Sequence, residues 1–161
     1  IVNDLGLEEA RGKISKPLKG LRLAPYYGCY LVRPPKVVGF DDPENPVSMD
    51  RLLAALGAEV LDWGGKVDCC GGSLILSREE IARKMLGDVL DKAREVEAEA
   101  IVVACPLCHA NLDMRQGGRT KIPILYFTEL LGLALEIPGA DAWFKKHLVS
   151  PLNVLKAHGL I

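Results

Sequence analysis

The stretch AIVVACPLCHANLDMRQ (100–116) joins a run of apolar residues directly to a cysteine-bearing helical pattern. AIVVA (100–104) has strand length and no polar residue, the pattern of a strand buried on both faces. CPLCHANLDMRQ (105–116) reads as a helix, with Pro106 suited to its first turn. Upstream, SREEIARKMLGDVLDKAREVEA (77–98) is a second helix, with Ser77 and Glu80 spaced as a capping box and Ile81, Met85, Val89 and Leu90 as its apolar face. Downstream, IPILYF (122–127) repeats the buried-strand pattern, and TELLGLALE (128–136) follows as a helix.

The N-terminal half continues the alternation. LRLAPYYGCYL (21–31) reads as a strand entering a turn, because Pro25 and Gly28 disfavour a long continuation. VRPPKVVGFDDPENP (32–46) is a proline-rich loop. Ser48 is placed as the N-cap of a helix with Leu52, Leu53 and Leu56 on one stripe and Gly57 at its end. EVLDW (59–63) is a short strand. Strands alternating with helices predict an α/β layered fold with a mostly parallel sheet. Residues 1–20 read as a linker or the tail of a preceding domain, 21–137 as the main domain, and 138–161 as a helical tail.

The chain has 161 residues, 49% hydrophobic and 25% charged, which suits one globular domain. Its net charge of −1, with Lys and Arg scattered, argues against nucleic acid or an anionic membrane surface as a partner. No apolar run approaches the roughly 18 residues that a membrane span needs. The opening residues resemble neither a signal nor a transit peptide. They also lack an initiating Met, so the chain reads as a piece of a longer protein.

Five cysteines make an odd count, which argues against a secreted disulfide framework and for the cytoplasm. Four of them form two tight pairs, Cys69–Cys70 and Cys105–Cys108. Adjacent side chains on an extended chain point to opposite faces, so Cys69 and Cys70 can serve one site only through a sharp bend or around a large ligand. Gly71 and Gly72 permit either. All three cysteine groups follow predicted strands, and ligands of parallel α/β sheets bind beyond the carboxyl ends of strands. That placement gathers Cys29, Cys69, Cys70, Cys105 and Cys108 into one candidate site.

The residues alone leave four chemistries open. Cys105-Pro-Leu-Cys108-His109 matches the attachment signal of c-type haem, which would leave three cysteines unexplained. A C-P-x-C at a strand-to-helix junction suits a thioredoxin-like dithiol. Four thiolates could hold structural zinc, though one thiol is then spare and Cys69 and Cys70 must both turn inward. An iron–sulfur cluster is a larger object, on which adjacent cysteines can reach different irons.

The spacing C-x39-C-C-x34-C-x2-C resembles the cysteine-rich CCG domain family. YYGCYLVRPP, DCCGGSL, CPLCHANLDMRQ and ILYFTELLGLAL resemble the C-terminal CCG domain found in the B subunit of heterodisulfide reductases, over roughly residues 16–137. The first spacing is at the long end of that pattern. The resemblance implies that Cys29, Cys69, Cys70, Cys105 and Cys108 hold a non-cubane [4Fe-4S] cluster, with Gly28, Gly71, Gly72 and Pro106 on the matching turn and helix-opening positions. It further implies a second, N-terminal CCG domain, an iron–sulfur subunit and a flavin-containing subunit as partners, and a disulfide as substrate. In that family the disulfide is that of coenzyme M and coenzyme B. Other CCG proteins accompany succinate, glycolate, lactate and glycerol-phosphate oxidoreductases, so a quinone-linked electron-transfer subunit and a zinc module are the alternatives.

Other residues receive plainer readings. His109 is expected to face solvent, with a hydrogen bond to the site or a proton-carrying role as the alternative. His147 and His158 read as surface positions, and Trp63 and Trp143 as packing residues. Tyr26 and Tyr27 read as core before cleft, Asn111 and Gln116 as helix packing or capping. Asp41, Asp42 and Glu44 read as a solvated loop.

Overall fold

The computed structural model describes residues 6–118 and 120–161. The first five residues of the stretch read as a linker lie outside the described residues. Four strands form one sheet: β1 (Arg22–Tyr26), β2 (Glu59–Val60), β3 (Ala100–Val103) and β4 (Ile124–Tyr126). Their order is β2-β1-β3-β4, and every pairing is parallel. The α/β fold with a parallel sheet is therefore as the alternation predicts. The helices are α1 (Leu7–Gly12), α2 (Pro35–Val38), α3 (Ser48–Ala55), α4 (Glu79–Glu95), α5 (Pro106–Met114), α6 (Phe127–Ala134) and α7 (Leu152–Ala157). Two 3₁₀ turns, Gly72–Leu74 and Ala140–Lys146, complete the set.

Both faces of the sheet are covered, which explains the unbroken apolar strands. Leu23, Ala100, Val102 and Leu125 pack with Leu53 of α3, Leu130 and Leu133 of α6 and Leu155 of α7. Ala24, Tyr26, Ile101, Val103 and Ile124 point the other way, onto Leu86 and Leu90 of α4 and Leu112 of α5. Each fully buried Leu or Ile contributes about 1.5–3 kcal/mol. Leu18, Phe144 and Leu160 join the first of these faces.

Pro25 lies within β1, a central strand, although proline cannot donate to a ladder. It is tolerated because β2 pairs only with Arg22 and Leu23 and has left the sheet before Pro25. Its carbonyl instead accepts the indole N–H of Trp63 at 2.9 Å.

Three local expectations are corrected. Helix α4 starts at Glu79, with no side-chain cap, and Ser77 Oγ turns back to the Leu74 carbonyl at 3.5 Å. The turn from Gly71 already satisfies this segment: the amides of Ser77 and Arg78 both donate to Leu74 O. The buried face of α4 is Ala82, Leu86, Val89, Leu90 and Ala93, while Ile81 is exposed. Ala82 must face inward because Gly71 sits against it. Ser48 lies inside α3 rather than capping it; Asp41 Oδ2 accepts the amides of Val47 and Ser48 at 2.9 and 2.7 Å. Those bonds outweigh partial burial and lower the Asp41 pKa.

Candidate metal centre

Every cysteine follows the carboxyl end of a strand: Cys29 after β1, Cys69 and Cys70 after β2, and Cys105 and Cys108 after β3. None forms a disulfide; Cys70 and Cys108 are buried, and Cys29, Cys69 and Cys105 are half-buried. The turn carrying Cys29 is set from below, because the amides of Tyr27 and Gly28 both donate to the Lys66 carbonyl at 2.8 and 3.0 Å. Lys66 is itself pinned by its Nζ, 2.5 Å from Asp50 Oδ1, and Tyr27 donates its hydroxyl to Asp50 Oδ2 at 2.6 Å. The segment after β2 is fixed by Tyr26, which donates its hydroxyl to the Asp68 carbonyl at 2.6 Å. Both tyrosines thus serve as core residues with a polar tip.

The neighbouring thiols separate. Cys69 is half-buried, its Sγ 3.9 Å from Cys29 Sγ, whereas Cys70 is buried and feels Cys108 most strongly. Gly71 makes the bend, with φ +74; a Cβ there would lie 2.8 Å from Ala82 Cα. Its amide points at Cys69 Sγ, 3.4 Å away. Gly28 and Gly72 flank the sulfurs: a Cβ on the first would come 3.4 Å from Cys108 Sγ, and on the second 3.3 Å from Cys70 Sγ. Pro106 opens α5, as expected.

The electrostatics favour a thiolate among these sulfurs. Cys70 is lowered to about 6, chiefly by the Cys108 thiol, with the Gly72 amide, Asn111 and Tyr26 helping against burial. Cys108 is pushed up by Cys70 and by burial, so this pair retains one proton over a wide pH range. Burial and Cys69 raise Cys29. Burial, reinforced by the surrounding cysteines, keeps Tyr26 protonated. A deprotonated sulfur is the form that ligates a metal.

Asn111 and Gln116 carry more than generic helix packing. Asn111 is buried and donates Nδ2 to the Cys70 carbonyl at 2.8 Å. Gln116 clasps Ile122, accepting its amide at 2.9 Å and donating to its carbonyl at 2.6 Å. Trp63 is buried and packs 6.2 Å from Tyr26, ring centre to ring centre. Asp42 and Glu44 are exposed, as a solvated loop requires.

The histidines depart from their surface readings. His109 is half-buried, stacked on Tyr126 with centroids 4.3 Å apart, and its Nε2 lies 3.3 Å from His147 Nδ1. The His147 side chain is 3% exposed, and its Nε2 lies 2.9 Å from Glu129 Oε1. Burial and His147 lower the pKa of His109. Burial opposes the charged form of His147 too, but Glu129 outweighs it and raises the pKa. His158 meets both Glu99 carboxylate oxygens at 2.9 and 3.0 Å. Glu129 escaped sequence reading, although it too follows a strand's carboxyl end; His147 had no such signal.

Two openings lie nearby. A cavity of about 460 Å³ beside Cys69 is lined by Asp68, Asp88, Asp91 and Glu95, with Lys92 held by Asp68 at 2.7 Å. One of about 250 Å³ is lined by His109, Tyr126, Glu129, Trp143, Lys146 and His147.

A parallel α/β sheet with five thiols gathered at its carboxyl edge defines a cysteine-rich domain. The chain belongs to the CCG family: the family model, a cysteine-rich domain, matches residues 23–113. It is 35% identical over 150 residues to the 8-methylmenaquinol:fumarate reductase membrane anchor subunit of Wolinella succinogenes, covering 89% of this chain and 53% of that one. It is equally 35% identical over 164 residues to the B subunit of the ferredoxin:CoB-CoM heterodisulfide reductase of Methanosarcina mazei, covering 96% and 54%. A protein of Archaeoglobus profundus, named as like the B subunit of heterodisulfide reductase, is 30% identical over 146 residues, covering 84% and 49%. The chain thus spans about half the length of these relatives. No helix among the described residues is long and apolar enough to cross a membrane.

Proposed function

We propose that this chain is an iron–sulfur domain of a redox subunit that reduces a disulfide, with Cys29, Cys69, Cys70, Cys105 and Cys108 as ligands of one non-cubane [4Fe-4S] cluster. The observation that carries this reading is that five thiols follow the carboxyl ends of neighbouring parallel strands, with Cys69 Sγ 3.9 Å from Cys29 Sγ. A tetrahedral zinc site wants four donors converging on one ion. Five thiols, two of them adjacent in sequence, exceed that set and suit an object with several metal atoms. The donor set fits: it is all thiol, one member is poised as a thiolate, and Gly28 and Gly72 keep backbone close to the sulfurs without adding bulk.

When bound, such a cluster supplies single reducing equivalents and a thiophilic metal surface. The chain's own residues build its setting. Asn111 holds the Cys70 backbone, Gly71 aims its N–H at Cys69, and Tyr26 and Trp63 seal the apolar side. A relative named as part of a CoB-CoM heterodisulfide reductase supports a thiol disulfide as substrate and electron delivery by partner subunits. We place the cysteine-rich domain proper at residues 21–137, between a linker (1–20) and a helical tail (138–161). The other half of the subunit is then the first partner, followed by iron–sulfur and flavin-containing subunits.

The reading is tested by adding a thiol or a disulfide to the anaerobic, iron-loaded, reduced chain and recording its electron paramagnetic resonance. A signal that changes with the thiol and not with an alcohol analogue supports it. A signal indifferent to both leaves electron transfer alone, as in a quinone-linked subunit, and contradicts disulfide reduction.

A further inference from the structure

The group His109, Glu129 and His147 belongs to none of the thiol chemistry above. It is built from three separate elements: His109 on α5, Glu129 on α6 and His147 just after the second 3₁₀ turn. One ligand-type atom from each lies within 4.8 Å of the other two. The His147 and Glu129 side chains are only 3% and 13% exposed, so this is not a chance meeting of surface residues.

Each member is also held from behind. Glu129 Oε2 accepts the Tyr126 amide at 2.8 Å, which leaves Oε1 turned to His147. His109 is fixed by its stack on Tyr126. The segment after His147 is tied down by buried Asp113, which accepts the amides of Leu148 and Val149 at 2.8 and 3.0 Å. Such outer partners orient metal ligands. Two imidazoles and a carboxylate form the donor set of zinc sites that keep a fourth position open. The cavity of about 250 Å³ beside the group leaves room for that position, and Lys146 on its rim is exposed and can turn outward.

We propose that His109, Glu129 and His147 form a second metal site, taking one divalent transition-metal ion of the zinc type. The imidazoles select against magnesium and calcium, which prefer oxygen donors. One nitrogen of His147 ligates, and one of its two present contacts is given up. The site adjoins Cys108 through His109, so an ion here places a positive charge beside the thiol centre without sharing its ligands.

Cobalt(II) tests this on the anaerobic, iron-loaded chain, because its spectrum reports the donor atoms. The expected result is uptake of one cobalt per chain, displaced by zinc, with ligand-field bands and no added thiolate-to-cobalt charge transfer. His147→Phe and Glu129→Gln should weaken uptake at least as much as loss of an outer partner does, about 10–100-fold. His109→Phe, which keeps the stack on Tyr126, should do the same if either of those fails to fold. His158→Gln, a histidine that meets Glu99 and lies outside the group, should leave cobalt uptake unchanged. No uptake, uptake only with thiolate charge transfer, or uptake unchanged in a folded histidine variant would each overturn the proposal.

Discussion

Asn111 reaches from α5 to donate its amide to the Cys70 carbonyl, 2.8 Å away, and so ties the two cysteine-bearing segments to each other. Its Oδ1 is buried without a partner. The bond is therefore aimed at holding a loop in place, at some cost in polar satisfaction. Asn111→Leu removes the tie and leaves the Cys70 carbonyl short of a donor, while relieving the stranded oxygen. A net loss of about 1–2 kcal/mol is expected, read from urea unfolding, together with faster amide exchange over 69–72.

Gly71 and Gly87 should respond oppositely to alanine. At Gly71 the left-handed φ and the 2.8 Å approach to Ala82 Cα leave no room, so Gly71→Ala should cost more than about 1 kcal/mol. Gly87 lies mid-helix in α4 with nothing within 4 Å of its Cβ direction, so Gly87→Ala should gain about 0.5–1 kcal/mol. Paired thermal melts check both signs.

Asp50 joins Lys66 to Tyr27 beneath the Cys29 turn. Asp50→Ala strands a mostly buried ammonium, whose remaining partner, Asp62, is 3.7 Å away and nearly fully exposed. A loss of about 3 kcal/mol is expected. Asp62→Ala should change stability by under about 0.5 kcal/mol.

Glu99 makes stability acid-sensitive. Burial works to raise its pKa, but the Arg22 amide, His158 and the Arg22 charge outweigh it and hold it below the ordinary carboxylate value. A group lowered on folding stabilises fully above its unfolded pKa and loses that contribution as pH falls through the folded one. Urea midpoints should thus decline below about pH 4.5, and less steeply in Glu99→Gln. Equal slopes for the two proteins would place the acid sensitivity elsewhere.

Much of the fold was legible because it is carried by local pattern. The runs 100–104 and 122–127 are apolar throughout since their strands are covered on both faces, and the strand-end rule gathered five distant cysteines. What escaped depends on contacts distant in sequence. Asp41, not Ser48, caps α3, and no periodicity reports a loop carboxylate reaching seven residues ahead. The Ser77–Glu80 spacing was right for a capping box, yet the Leu74 carbonyl already takes the Ser77 amide that Glu80 would have accepted. His147 and His158 look like tail residues until the tail folds back onto Glu129 and Glu99.

Iron, acid-labile sulfide and zinc per chain, measured on protein purified without oxygen, decide between a cluster and a structural zinc site at the five cysteines. About four irons with matching sulfide are expected, falling sharply in Cys70→Ser. Zinc accompanying that iron would belong to the histidine site. About one zinc per chain with no iron or sulfide, kept in His147→Phe and lost in Cys70→Ser, would contradict the cluster assignment and make the five-cysteine centre a structural zinc module.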